Sequence, residues 1–292
     1  MCVYPPHPIG SRGKQRVPHA HSQKVHVYHT TAPTCFWSWG YEAVFNRLPL
    51  VYGDQIDIHV LTSCVYDDFR EYLKHYDMTF DEMIEWTKEG SEIMGVPLAT
   101  NLRRAMLPRS MMPATLAAMA AYRQGPPKGA RFNRAILRRW NLELQDVTTE
   151  ETLLAAAEEA GLNVARFRRN LADANGLQKD LEHQGHDFPH LPIGFYNIAI
   201  TDGDSRTVIL DHAFEPAVVE NAIDWLSGNA LTKAVPRNIS GYLHEHGPAP
   251  LMEIARVFGV PRESAKKQLI ALEKKNQAAR LTLAGVSHWR AA

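Results

Sequence analysis

A cysteine and a serine three residues apart, in "APTCFWSWGYEAVF" (Ala32–Phe45), are the pair in this chain best suited to do chemistry. Cys35 falls where a short apolar strand gives way to a helix. A thiolate at a helix N-terminus faces unpaired backbone N–H groups, which draw its pKa below the free value of ~8.5 and make it a nucleophile. Without that activation Cys35 would be a small buried hydrophobe. Ser38 stands where a dithiol redox site carries its second cysteine. Its hydroxyl can donate a hydrogen bond to the thiolate one helical turn away, but it cannot displace a mixed disulfide as a second thiol does. A monothiol site of this kind still forms mixed disulfides with glutathione or with a protein thiol. Trp37 and Trp39 flank Ser38; one can shape a pocket while the other fills core. Glu42, on the same helix face as Cys35, is either a proton acceptor or an ion-paired side chain.

The elements that must position these groups follow from periodicity. "KVHVYHT" (Lys24–Thr30) reads as a strand, Phe36 to about Leu48 as a helix stopped at Pro49, and "IDIHVLTS" (Ile56–Ser63) as a second strand. Together they predict a βαβ unit with parallel strands and a right-handed crossover. Cys64 ends the second strand. Parallel strands of one such unit finish at the same sheet edge, so Cys64 is a candidate resolving thiol if its Cα lies within about 7 Å of that of Cys35; otherwise it is a bystander. From Asp67 to about Gly185 the pattern is helical throughout, with Thr79 as a predicted N-cap. Strands resume at "IGFYNIAI" (Ile193–Ile200), a "TDGDS" turn leads to "RTVIL", and "EPAVVENAIDWLSG" returns to helix.

This order, with Cys35 opening the first helix and a proline just ahead of the hairpin, resembles the thioredoxin-like fold with an all-helical insertion, as in the DsbA family. The phrase "CFWSWGYEAVFNRLPLVYGDQIDIHVL" is similar to the cytoplasmic branch of that family, the predicted dithiol-disulfide isomerases of the FrnE type. The resemblance runs from about Val25 to Gly228. It implies a thiol-disulfide oxidoreductase or isomerase with Cys35 and Ser38 as catalytic residues and no bound cofactor, glutathione being a possible co-substrate. It also implies a cis-proline facing the cysteine. Of Pro189 and Pro192, the latter directly precedes the strand, which makes Leu191, Pro192 and Trp37 the expected substrate-binding residues. Ser38 departs from the two-cysteine pattern and puts dithiol oxidase activity in doubt.

Composition limits the alternatives. Lys and Arg equal Asp and Glu at 32 each, but the charge is uneven: Leu231–Ala292 holds ten basic residues against four Glu and no Asp. That segment reads as helix, break, short helix, "GVP" turn, longer helix and an alternating stretch, and it resembles a winged helix-turn-helix of the MarR or ArsR kind. The resemblance implies a recognition helix "PRESAKKQLIALEKKNQ", whose Arg262, Lys266 and Lys267 could meet DNA phosphates. The expected organisation is therefore α/β: a flexible arm over residues 1–23, a DsbA-like domain over 24–230 with its insertion at about 67–185, and a winged helix over 231–292. Two further readings stay open. One is a redox-responsive DNA-binding regulator or protein adaptor; the other is an enzyme like the kappa-class glutathione transferases, whose Ser-Pro-Tyr type of site "TCFWS" does not match. Three cysteines make no disulfide framework, and no apolar run approaches the ~20 residues of a membrane span, so a reducing cytoplasm is expected. His183, His186 and His190 lie close in sequence but lack zinc-site spacing, and no metal is expected.

Overall fold

The computed structural model describes residues 24–64, 66–184, 195 and 197–292. Strand β1 (Val25–Thr31) runs into α1 (Phe36–Gly40) and α2 (Glu42–Tyr52), and the chain returns as β2 (Ile56–Thr62). β1 and β2 are parallel, with Val25 opposite Ile56 and Thr31 opposite Thr62. Alternation of β-branched and aromatic residues on β1 buries Val25 and Val27 against the helix layer, as a central strand requires.

Helix α2 passes the expected stop. Pro49 lies inside it, and the helix ends at Gly53, whose φ of 59° suits glycine and whose N–H donates to the Pro49 carbonyl. Proline forfeits one helical hydrogen bond. The buried side chains of Leu48, Val51 and Tyr52 hold the final turn in place despite that loss.

Between β2 and the next strand the described residues carry seven helices: α3 (Phe69–His75), α4 (Phe80–Met94), α5 (Met112–Tyr122), α6 (Pro126–Asn141), α7 (Glu150–Glu159), α8 (Val164–Ala172) and α9 (Ala174–Gln184). Thr79 closes a capping box on α4: its hydroxyl accepts from the Glu82 N–H at 3.2 Å and its own N–H donates to the Glu82 carboxylate at 2.7 Å. Helix α5 is buried along much of its length, and its alanines let neighbouring helices approach closely. The chain then forms the hairpin β3 (Asn197–Thr201) and β4 (Thr207–Asp211), turned where Asp202 Oδ1 accepts from the N–H groups of Asp204, Ser205 and Arg206. Helix α10 (Pro216–Leu226) follows. The sheet order is β2-β1-β3-β4, with β3 antiparallel to β1 and β4. Val27, Ile198 and Ile200 of its centre share one core with Val44 and Leu48 of α2 and Val219 and Ile223 of α10. This is a thioredoxin-like α/β fold with a helical insertion.

A further α/β part ends the chain: α11 (Ile239–His246), β5 (Ala249–Pro250), α12 (Leu251–Phe258), α13 (Arg262–Lys274), β6 (Ala278–Leu283) and β7 (Val286–Ala291). Its three-stranded sheet is ordered β5-β7-β6. Ala43 of α2 belongs to its core, Arg47 Nη1 donates to the Val257 carbonyl at 2.7 Å, and Arg256 Nη1 donates to the Met94 carbonyl at 2.7 Å.

Arg134 of α6 completes that junction. Its side chain is 4% exposed; Nη1 donates to Glu42 at 3.0 Å, Nη2 to Glu253 at 2.8 Å and Nε to the His246 carbonyl at 2.7 Å. Burial penalises the guanidinium, but Glu253, Tyr242 and Glu42 outweigh burial and hold it charged. Glu42 is thus an ion-pair partner of Arg134. Removing one member of such a buried set strands charge in a low-dielectric interior. Arg134→Met should lower unfolding stability by about 3–5 kcal/mol in urea titrations, and adding Glu42→Gln and Glu253→Gln should restore much of that loss.

His29 of β1 gives the fold an acid limit. It is buried against Phe45 and Tyr41, bonded to the Asn197 carbonyl at 3.4 Å, and burial lowers its pKa from 6.5 to about 4. The unfolded chain takes up this proton first, so the stability is whole above pH 6.5 and is lost as pH falls toward about 4. Urea midpoints should drop across that window, and His29→Phe should flatten the drop.

Candidate functional site

Cys35 is set by the turn that joins β1 to α1. Its N–H donates to the Ala32 carbonyl at 3.0 Å, and its backbone is extended (φ −89°, ψ 122°), as an N-cap residue requires. Ser38 Oγ accepts from the Ala32 N–H at 3.1 Å, which ties the helix to the end of the strand. Around a Cys35 thiolate the Ser38 N–H, the Ser38 hydroxyl and the Trp37 N–H are all placed as donors. Those three contacts pull the thiol pKa down. Burial acts in the other direction and is larger: Cys35 is 8% exposed, and its pKa is raised. The sequence expectation of a depressed pKa counts the donors but not the desolvation, which only packing reveals. Helix α1 is also a single short turn, so its dipole is small.

The thiol opens onto a cavity of about 480 Å³ between the sheet and the helical insertion. Phe36 and Trp37 come from α1, Tyr72 from α3, Trp86 from α4, Trp140 from α6, and His212 from the end of β4. Their rings interlock: Trp86 meets Phe36 edge-on at 5.2 Å, and Trp37 stacks on Phe214 at 5.8 Å and meets His212 edge-on at 5.2 Å. Two glycines make this close assembly of α1 and α4 possible. A Cβ at Gly40 would lie 2.2 Å from Met94 Sδ, and one at Gly90 would lie 2.6 Å from the Phe36 ring. Tyr72 is near enough that a Cys35 thiolate adds to the effect of burial in raising its phenol pKa. His212 holds a φ of 51°, an uncommon conformation for a residue with a side chain and one that recurs at functional sites.

Among the sequence-predicted residues, Cys35, Ser38 and Trp37 meet at this site. Trp39 fills core, with Arg134 over its ring. Leu191, Pro192 and Pro189 lie outside the described residues, as do Cys2, His186 and His190. Cys64 sits with Met111, Ala114 and the core of the insertion, its thiol directed to the Tyr66 carbonyl at 3.3 Å; neither it nor Cys35 is in a disulfide. Arg262, Lys266 and Lys267 are exposed on α13, in the C-terminal part. No group of three potential metal ligands occurs among the described residues, and no described helix is long and apolar enough to cross a membrane. Tyr72, Trp86 and His212 went unread in the sequence. The aromatic spacing of Tyr66, Phe69, Tyr72 and Tyr76 marks one wall, whereas nothing local brings His212 to it.

The opposed effects at Cys35 are measurable. Alkylation of the Cys35 peptide, followed by mass spectrometry, should show a pH midpoint above that of the unfolded chain, and Ser38→Ala should move it further up by removing a donor.

Similarities to known proteins agree with this fold. The chain is 25% identical over 253 residues to the ClpXP adapter protein SpxH of Shouchella clausii, covering 85% of this chain and 82% of that one. The cytosolic disulfide reductase DsbM of Pseudomonas aeruginosa superposes with a TM-score of 0.53 at 19% identity, covering 68% of this chain and 99% of DsbM. A structure described as a probable DsbA oxidoreductase from Streptomyces coelicolor gives a TM-score of 0.55 at 16% identity, covering 73% and 100%. The sequence profile of the thioredoxin family matches residues 28–183, the stretch from β1 through α9 that holds Cys35, Ser38 and most of the cavity wall, and the chain belongs to that family.

Proposed function

We propose that this protein carries out thiol-disulfide exchange through Cys35 by a monothiol route. The observation that supports it is a buried thiol, ringed by the Ser38 and Trp37 donors, at the edge of a preformed aromatic cavity. Burial keeps the resting thiol protonated at neutral pH, so the reactive species is the minor thiolate, held by the three donors once formed. The thiolate attacks one sulfur of a disulfide; the new S–S bond forms as the old one breaks, and the second sulfur leaves as a thiolate that takes a proton from water. Ser38 cannot complete the cycle. A second thiol from solution, for which glutathione is a chemically suitable candidate, then attacks the mixed disulfide and returns Cys35 to its thiolate.

The experiment is to treat the protein with a disulfide and follow the Cys35 peptide. The wild-type protein should accumulate a mixed disulfide that persists until glutathione is added, and Ser38→Cys should shorten its lifetime by supplying the missing thiol. Absence of any Cys35 adduct would overturn the reading.

A second reading concerns the C-terminal part, whose order of helix, strand, two helices and hairpin we read as a winged helix. The SpxH relative, a ClpXP adapter by name, matches 85% of this chain, whereas the DsbM superposition covers 68%. An adapter as a relative over most of the chain favours a partner-docking role for this unit, in a cytoplasmic protein. The exposed Arg262, Lys266 and Lys267 keep DNA as the competing partner. Anisotropy titrations of the full chain against duplex DNA separate the two. Protein docking predicts no binding at low salt; binding that weakens steeply with salt and is lost in R262A/K266A/K267A would favour DNA.

A further inference from the structure

The described walls of the Cys35 cavity are largely apolar. Among the described residues that line it there is no Lys, Arg, Asp or Glu. Besides the Cys35 thiol, the His212 ring and the indoles of Trp37, Trp86 and Trp140, the polar side chains of its described walls are hydroxyls and an amide: Thr34, Thr87, Asn141 and the tyrosines 66, 72 and 76. Of these, the Thr87 hydroxyl already donates to the Met83 carbonyl at 2.8 Å, and the Asn141 amide to the Leu137 carbonyl at 2.9 Å. A carboxylate placed there would lose its water and meet no Lys or Arg among the described walls, which disfavours it. A flat apolar ring would instead stack or pack edge-on among Phe36, Trp37 and Trp86. At about 480 Å³ the volume is that of a small-molecule site.

We propose that the cavity binds the aromatic half of a small neutral disulfide and presents its sulfur to Cys35, and that charged disulfides such as oxidised glutathione do not occupy it. This inference rests on the exchange reading and deepens it. Cys35 thiolate attacks the sulfur attached to the bound ring. The aryl S–S bond breaks, the other aryl thiolate leaves and takes its proton from water, and the bound half remains on Cys35 as a mixed disulfide, with no net oxidant or reductant needed. The aromatic walls then hold the adduct, while the second thiol acts from the solvent side.

The test compares second-order rates at the Cys35 peptide for neutral 2,2′-dithiodipyridine, dianionic 5,5′-dithiobis(2-nitrobenzoate) and oxidised glutathione. Each rate is taken on the native full chain and on the urea-unfolded chain, so that intrinsic reactivity cancels. The native fold should raise the neutral-to-anionic ratio by roughly tenfold or more, about 1.4 kcal/mol of discrimination. Thr87→Lys, on a half-buried position of the wall, should reduce that ratio by placing a cation beside the cavity. An unchanged ratio, or oxidised glutathione reacting as well as the neutral disulfide, would overturn the inference and leave the exchange reading standing. A faster reaction with a disulfide-linked peptide bearing flanking phenylalanines would overturn it in favour of an apolar protein segment. The non-reactive analogue diphenyl sulfide, titrated into Cys35→Ser and followed by tryptophan fluorescence, separates the two failures: binding there without exchange in the wild type sustains the neutral aromatic site and overturns the exchange reading. No binding overturns the site.

Discussion

A guanidinium held away from water has to be neutralised where it sits, and Arg134 draws three parts of the chain together to do so. The helical insertion supplies Arg134, α2 supplies Glu42, and the C-terminal part supplies Glu253 with the carbonyls of His246 and Pro248. Any separation of these parts would leave a charge without its partner in a dry interior, so the network acts as a register for their assembly as much as a source of stability. The same α2 begins two residues after Gly40 and carries the end of α1, and therefore the placement of Cys35 depends on how α2 is seated.

Around Cys35 two requirements oppose one another. Nucleophilicity favours a thiolate held by N–H and hydroxyl donors, and the cavity favours a dry, apolar wall that keeps the thiol protonated. Burial has the greater effect.

The insertion is what gives a short thioredoxin-like sheet a walled site beside Cys35. Helices α3, α4 and α6 supply Tyr72, Trp86 and Trp140, while the sheet side supplies the sulfur and His212. Close contact between α1 and α4 needs the missing side chains of Gly40 and Gly90. The cavity is therefore a property of the packing between the core of the sheet layer, the core of the helical block and the smaller cluster around Tyr72 and Met83.

The order of elements was legible in the chain because it rests on local periodicity: the alternation of β1, the capping box at Thr79, and the basic three-helix pattern near the C-terminus all show in short windows. Cys35 and Ser38 could be paired as a site because both lie within one helical turn. Pro49 misled, since a proline marks a helix end only where packing does not hold the next turn, and buried Leu48, Val51 and Tyr52 do hold it. The direction of the Cys35 pKa, the location of Cys64 in the core of the insertion, the pairing of Glu42 with Arg134 and the arrival of His212 at the cavity were decided by tertiary structure alone. Each depends on groups far apart in sequence. Local pattern determines which faces are apolar, but desolvation and charge pairing are set by what those faces finally meet.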